Sequence, residues 1–403
     1  MKKQFLFAIA VTMLTACVNT DTFKEVSDPV KSEIGFSTFA NKQTKAENST
    51  QNTHEGLATH HTSFNVWAAK TYGSGWTEVY AKGTGGIATG TVSYASSTWA
   101  ASPLKFWDKS ATQYQFFAAA PADASKWTLI EATDGDYTTN YLKYTGLKLG
   151  GTSIAGNAYV ESFNSIRNTD LDIMIAEPAP VNRTAYNVSD PAAVTLLFDH
   201  VLSRLNVKVK RGTTLTTNNV TVNVTSFVIN GNGEFKNKGN FDEHLANSSS
   251  NPTLQSGTIA RWVESTNSPV LDGTYTLTGV SANGVVETSG SEKYIGQFLI
   301  IPQTVTWQAL DRATGLADSD NDGDYDDATT YPSFKIEYTL NGEPYFAYYN
   351  LAYAFSPASN ANLTFCEGYM NNLTITIDAD AITFTPEVYK WIEKTSGSIT
   401  EVE

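Results

Sequence analysis

The chain has 403 residues, 41% hydrophobic, 12% aromatic and only 17% charged, with a formal net charge of -14. That acidic balance speaks against nucleic acid as a partner and against an electrostatic grip on anionic membranes. The length exceeds what one sandwich core takes, and the Ser, Thr, Asn and aromatic content disfavours long helices, so an all-β chain of two domains is expected.

Lys2 and Lys3 precede an apolar stretch, Phe5 to Leu14, that is too short to cross a bilayer, and small residues then lead to Cys17. This pattern predicts an export signal over residues 1–16. Leu14-Thr15-Ala16-Cys17 resembles a bacterial lipoprotein lipobox. The resemblance implies that the Cys17 thiol receives diacylglycerol and that the protein reaches the cell surface as an outer-membrane lipoprotein. No later segment is apolar enough to span a bilayer, so the lipid would be its membrane anchor. An acylated Cys17 leaves Cys366 without a disulfide partner, and the fold must be held by apolar burial. Within Leu363-Thr364-Phe365-Cys366, that cysteine reads as a small buried strand residue.

Residues 18–32 read as a polar tether. Glu33 to Ala40 is a strand candidate with Ile34 and Phe36 on one face. Asn41 to Ser63 turns polar again and carries Lys42, Lys45, His54, His60 and His61; without carboxylate or thiolate support, the histidines read as loop residues rather than a metal site. Strands are predicted at Phe64–Ala68, Glu78–Tyr80, Thr91–Tyr94, Tyr114–Ala120 before Pro121, and Leu171–Ala176. The proline-bearing stretch from Pro178 to Pro191 is the expected boundary, dividing an N-terminal domain at 46–190 from a C-terminal domain at 191–403.

Beyond it, strands are expected at Val194–Leu202, Leu205–Val209, Val222–Ile229, Tyr275–Leu277 and Val285–Val286. Phe298 to Gln303 reads as a strand buried on both faces. Phe334–Leu340 and Tyr345–Leu351 flank Asn341-Gly342, the pair a type I′ hairpin favours. Leu373–Ile377 and Ile382–Phe384 close the series, and His200 reads as a core or edge residue. Strand lengths and turn spacing together predict β-sandwiches.

Asp318-Ser319-Asp320-Asn321-Asp322-Gly323-Asp324-Tyr325-Asp326-Asp327 is the sharpest local motif. Carboxylates at its first, third and fifth positions with Gly at the sixth match the first half of a calcium loop, Asp324 offering a carbonyl and Asp326 standing ninth. Thr329 occupies the twelfth position in place of a bidentate glutamate, so the expectation is a helix-free calcium loop or a solvated acidic loop. No nucleophile elbow, phosphate loop or zinc spacing occurs, and the chain is expected to be non-enzymatic and to require no cofactor.

Several segments, taken in order, resemble the fimbrillin family of type V pilus subunits and related lipoproteins of anaerobic bacteria. They are Tyr114 to Pro121, Asp170 to Ala176, Phe198 to Leu205, Ile300-Ile301-Pro302-Gln303, Gly368-Tyr369, and Ile382-Thr383-Phe384 leading to Val388 and Trp391. The resemblance implies two tandem transthyretin-like Greek-key β-sandwich domains and a pilus or adhesin role. It also implies that an early strand is cut away by a trypsin-like protease, opening a groove for a strand donated by another pilin. Ile34 to Ala40 is the candidate leaving strand, about 23 Å long. Cleavage would fall between Lys45 and Ala46, with Lys42 the second choice; the family's usual basic residue is arginine, and an ordinary loop lysine is the alternative. Ile382–Phe384 is either a donor or a resident strand, while the acidic tail from Lys394 makes a poor donor. The alternative function is a glycan-binding lipoprotein that stacks sugars on exposed aromatics, tested at Trp76 and Trp99, with Trp67, Trp107 and Trp127 assigned to the core.

Overall fold

A computed structural model describes residues 33–40, 57–58, 61–108, 110–149, 172–176, 181–182, 193–243, 260–262, 271–272, 276–279, 285–287, 291–320, 322–356, 360–379 and 381–390. The chain opens with β1 (Phe36–Ala40), β2 (Ser63–Thr71), β3 (Trp76–Tyr80), β4 (Gly90–Ala95), β5 (Thr98–Ser102) and β6 (Gln113–Ala120). β7 (Trp127–Ile130), β8 (Tyr141–Lys148), β9 (Met174–Ala176), β10 (Val181–Asn182) and β11 (Val194–His200) follow. Next come β12 (Ser203–Arg211), the helical turn α1 (Thr213–Thr217), β13 (Val222–Asn230), β14 (Lys238–Asp242), β15 (Leu271–Asp272), β16 (Thr276–Gly279) and β17 (Val285–Glu287). The chain continues through β18 (Lys293–Ile300), β19 (Gln303–Val305), β20 (Ser333–Leu340), β21 (Glu343–Asn350), the turn α2 (Leu351–Phe355), β22 (Leu363–Phe365), β23 (Tyr369–Ile377) and β24 (Ile382–Lys390). The architecture is all-β, as the composition predicts.

A nine-stranded sheet runs β1-β11-β9-β6-β2-β4-β5, with β10 on β6 and β3 on β2. Its central strands are apolar on both faces. Phe64, Val66 and Ala68 of β2 join Phe116, Ala118 and Ala120 of β6 in one core cluster, while Trp67, Ala69, Phe117 and Ala119 join a second. Alternation at Phe64–Ala68 suggests one buried face, but Trp67 is fully buried on the other. The reason is a further sheet, β15-β14-β8-β7, whose Trp127, Leu129, Leu142, Tyr144 and Phe241 belong to the same second cluster.

That cluster continues into the C-terminal half, where the sheets β18-β12-β23-β24 and β16-β13-β20-β21, with β17 on β13, pack together. Leu205, Val207 and Val209 point inward at period two, as do Phe334, Ile336 and Tyr338. Phe384 of β24 bridges the layers, its ring centroid 6.0 Å from that of Phe334 and 4.7 Å from that of Tyr349. Asn341 and Gly342 take φ of 49° and 96° between β20 and β21, the doubly left-handed pair that the hairpin requires.

Three pairings cross the expected boundary in sequence. β11, read as the opening of the C-terminal half, is antiparallel to β9 and parallel to β1 within the nine-stranded sheet. β14 pairs with β8, Lys238 opposite Lys148. The expected strand from Phe298 to Gln303 is in fact broken: β18 ends at Ile300, and Gln303 starts β19, which pairs with β22. Pro302 has no N–H for a ladder there. The buried Gln303 amide instead accepts from the Lys236 N–H (2.7 Å) and donates to the Lys236 and Ile301 carbonyls (2.8 and 2.9 Å).

Candidate functional site

β1 lies at one end of the nine-stranded sheet and is held there by a single ladder. Phe36 to Ala40 runs parallel to Val194 to Phe198, residue for residue. Just before it, Glu33 forms an isolated bridge to Phe106, the Ile34 N–H donates to the Lys105 carbonyl (2.9 Å), and the Val194 N–H donates to the Gly35 carbonyl (2.9 Å). The predicted inward pair, Ile34 and Phe36, is 2% and 5% exposed. Thr38 continues the same face and is fully buried, a position that a purely apolar reading of the strand passes over.

Phe36 fills a socket of aromatic rings. Its centroid lies 6.0 Å from Phe64 and 6.0 Å from Phe116, both edge-on, and 6.1 Å from Tyr80. Those rings stand on β2, β6 and β3, so one side chain of an edge strand closes a gap over three inner strands. On β11, Val194, Leu196 and Phe198 face the same cluster, and Leu197 points outward. Without β1, the β11 backbone would present an unpaired edge beside this socket. Cys17, Lys42, Lys45, Ala46, His54 and His60, and the export signal and tether, lie outside the described residues.

The aspartate loop is organised at its first half. Carboxylate oxygens of Asp318, Asp320 and Asp322 lie within 4.8 Å of one another. Asp318 accepts from the N–H groups of Asp322 (3.1 Å) and Gly323 (3.2 Å), and Gly323 has φ of 97°. Asp324 donates its N–H to Asp322 (2.9 Å), and neither Asp324 nor Asp326 belongs to the three-carboxylate group. Paired backbone bonds between Ala317 and Asp327 close the loop (2.8 and 2.9 Å). Its base rests on Gln308, which donates to the Ser319 hydroxyl and accepts from that of Thr329.

Trp99 is not a surface platform. It is 8% exposed, packed against Phe64 (5.2 Å) and Tyr94 (5.0 Å), because the short β4–β5 hairpin folds its ring into the first core. Trp76 is partly buried beside Tyr137, its indole N–H donating to Asp136 (3.1 Å). Trp67 and Trp127 are fully buried, and Trp107 packs on the first cluster. His200 is buried, with Nδ1 2.8 Å from an Asp172 carboxylate oxygen. Cys366 is half-buried just after β22, and burial raises its thiol pKa, which disfavours the thiolate.

The sequence model of a family described as fimbrillin-like matches residues 44–391. No curated protein matches the chain. Among solved structures, a fimbrial protein from Bacteroides vulgatus is similar at 14% identity and TM-score 0.48, over 89% of this chain and 99% of that one. The tip fimbrial protein Mfa3 from Porphyromonas gingivalis is similar at 13% identity and TM-score 0.37, over 82% of this chain and 94% of that one.

Proposed function

The chain belongs to the fimbrillin-like family, and from that premise we propose that it is a non-enzymatic, cell-surface pilus subunit or pilus-associated adhesin. It is exported as a lipoprotein on Cys17 and held at the outer membrane until a trypsin-like protease cuts between Lys45 and Ala46. The cut frees lipid and β1 together, and a strand from another pilin takes the vacated place. In this reading the chain forms two tandem transthyretin-like Greek-key β-sandwiches, and β11 is lent by the second half to the first. One observation carries the proposal: β1 is an edge strand on a single ladder, yet it buries Ile34, Phe36 and Thr38 in the core. Such a strand is stable enough to complete the precursor and attached on too few sides to be permanent.

Dilute trypsin acting on the purified precursor tests this. The expected result is one early cut after Lys45, loss of β1, and conversion of monomer into a ladder of oligomers. A cut protein that stays monomeric, or keeps β1 bound through size exclusion, would overturn the reading. Calcium in the Asp318–Asp322 loop is proposed as a structural ion; the convergence of three carboxylates on one locus supports it.

A further inference from the structure

A buried ionic cluster sits where the chain leaves the nine-stranded sheet. β11 passes to β12 through Val201 and Leu202. The Trp262 indole N–H donates to the Val201 carbonyl (2.9 Å), and the Gly368 N–H donates to that of Leu202 (2.9 Å). Beside these two ties, Arg261 Nε lies 3.0 Å from Glu367 Oε2, and its Nη1 lies 3.8 Å from Glu243 Oε1. All three side chains are 5% exposed or less. Glu243 also accepts from the Leu142 N–H of β8 (2.8 Å), so the cluster joins four separate stretches of chain.

Among the described residues of the cluster, two carboxylates face one guanidinium. Glu243 has its bond from Leu142, whereas among the described residues neither Glu367 oxygen receives a well-aligned hydrogen bond, although Arg261 Nε approaches to 3.0 Å. An ionised carboxylate has about four acceptor sites to satisfy, and leaving them dry in the interior is costly. A neutral carboxyl at Glu367 leaves Arg261 and Glu243 as a matched pair. Burial, opposed by Arg261 and reinforced by Glu243 and by Asp199 of β11, raises the Glu367 pKa to about 7. The adjacent Cys366 thiol is raised above its ordinary range, and the Asp172–His200 pair lies at the end of β11.

We propose that Glu367 is the proton-binding element of a latch on the β11–β12 link. When neutral, it leaves the Arg261–Trp262 turn seated on Val201; when ionised, it adds an uncompensated buried charge that is relieved as the turn lifts. Because this carboxyl binds its proton more tightly in the folded chain, the latch is strongest below about 4.5 and weakens as pH rises through about 7. The link between the sheets is therefore stiff in acid, loosens as pH rises toward neutrality and is loosest above about 7.

Hydrogen exchange on the full chain, corrected for intrinsic rates between pH 5.5 and 8.5, tests the latch. Opening at the Leu142 and Gly368 amides should rise by up to about tenfold per pH unit from pH 5.5 to about 7 and level off above it. The β2–β6 amides should not follow. Glu367→Gln, which keeps the shape and removes the titration, should give a flat profile at the acid-side level. A flat wild-type profile overturns the proposal, as does a variant that keeps the wild-type rise. A carbon-detected titration of Glu367 in the wild type stands apart from the variant's folding: a midpoint in the ordinary carboxylate range also overturns the proposal.

Discussion

Replacing Phe36 by alanine asks how β1 is attached. The ring is 5% exposed and meets three other aromatic rings, so its removal deletes a buried phenyl group and leaves a cavity among Phe64, Phe116 and Tyr80. Phe→Ala losses in cores run about 3–5 kcal/mol, part of it from edge-to-face pairs of this kind. In an inner strand that loss would fall on the whole fold. β1, however, is bonded to β11 alone in the sheet order, so the loss should fall mainly on its own detachment. At about 1.4 kcal/mol per factor of ten, the open fraction of β1 should rise by roughly 100- to 4000-fold. Exchange of the Val194 amide, which donates to Gly35, reads this opening, and the β2–β6 amides serve as internal reference. Phe36→Leu should recover much of the protection. The reasoning is refuted if β1 and the β2–β6 ladder lose protection in step, because β1 would then be an integral part of one cooperative unit.

Gln303→Ala removes an acceptor for the Lys236 N–H and two donated bonds, and should cost about 2–4 kcal/mol in urea unfolding with an unchanged m value. Gln303→Glu keeps the acceptor but turns a buried carboxylate oxygen on the two carbonyls, so it should cost at least as much as alanine; a cost near zero for both would show that the clamp is idle. Millimolar calcium should raise the thermal midpoint of the wild type, by about 2.7 kcal/mol of added stability at a hundredfold excess over Kd. The Asp320→Asn, Asp322→Asn double variant should lose that response, and an unresponsive wild type would leave the loop as a solvated acidic turn.

Local features of the fold are legible because their causes are local. Asn341-Gly342 predicts its hairpin from backbone sterics alone, and Ile34 with Phe36 predicts the inward face of β1 from period two. The burial of Trp67 is legible, but the second sheet that covers it is not, because alternation shows that one face is apolar and says nothing of what lies on the other. β11 follows the expected boundary in sequence yet pairs with β9 and β1, a placement not legible in the sequence because chain order and sheet order are independent, and Val194, Leu196 and Phe198 are as suited to one core as to another. Trp99 sits beside a tight turn, which suggests exposure, yet a two-residue turn can fold a ring back inward. The Arg261–Glu243–Glu367 group carries no motif at all, since its members come from distant segments and meet only through packing.

The parallel register of β1 on β11 has a topological consequence. Antiparallel neighbours can be joined by two residues, but parallel ones need a crossover of about a dozen or more. The residues flanking β11 therefore cannot turn back and heal a vacancy in the same register. Any strand that copies the pairing of β1 must also copy its direction, starting near Val194 and ending near Phe198. A groove left by β1 would thus have a polarity: it would distinguish the head of an incoming segment from its tail, and a chain of such joints would inherit one sense along its length.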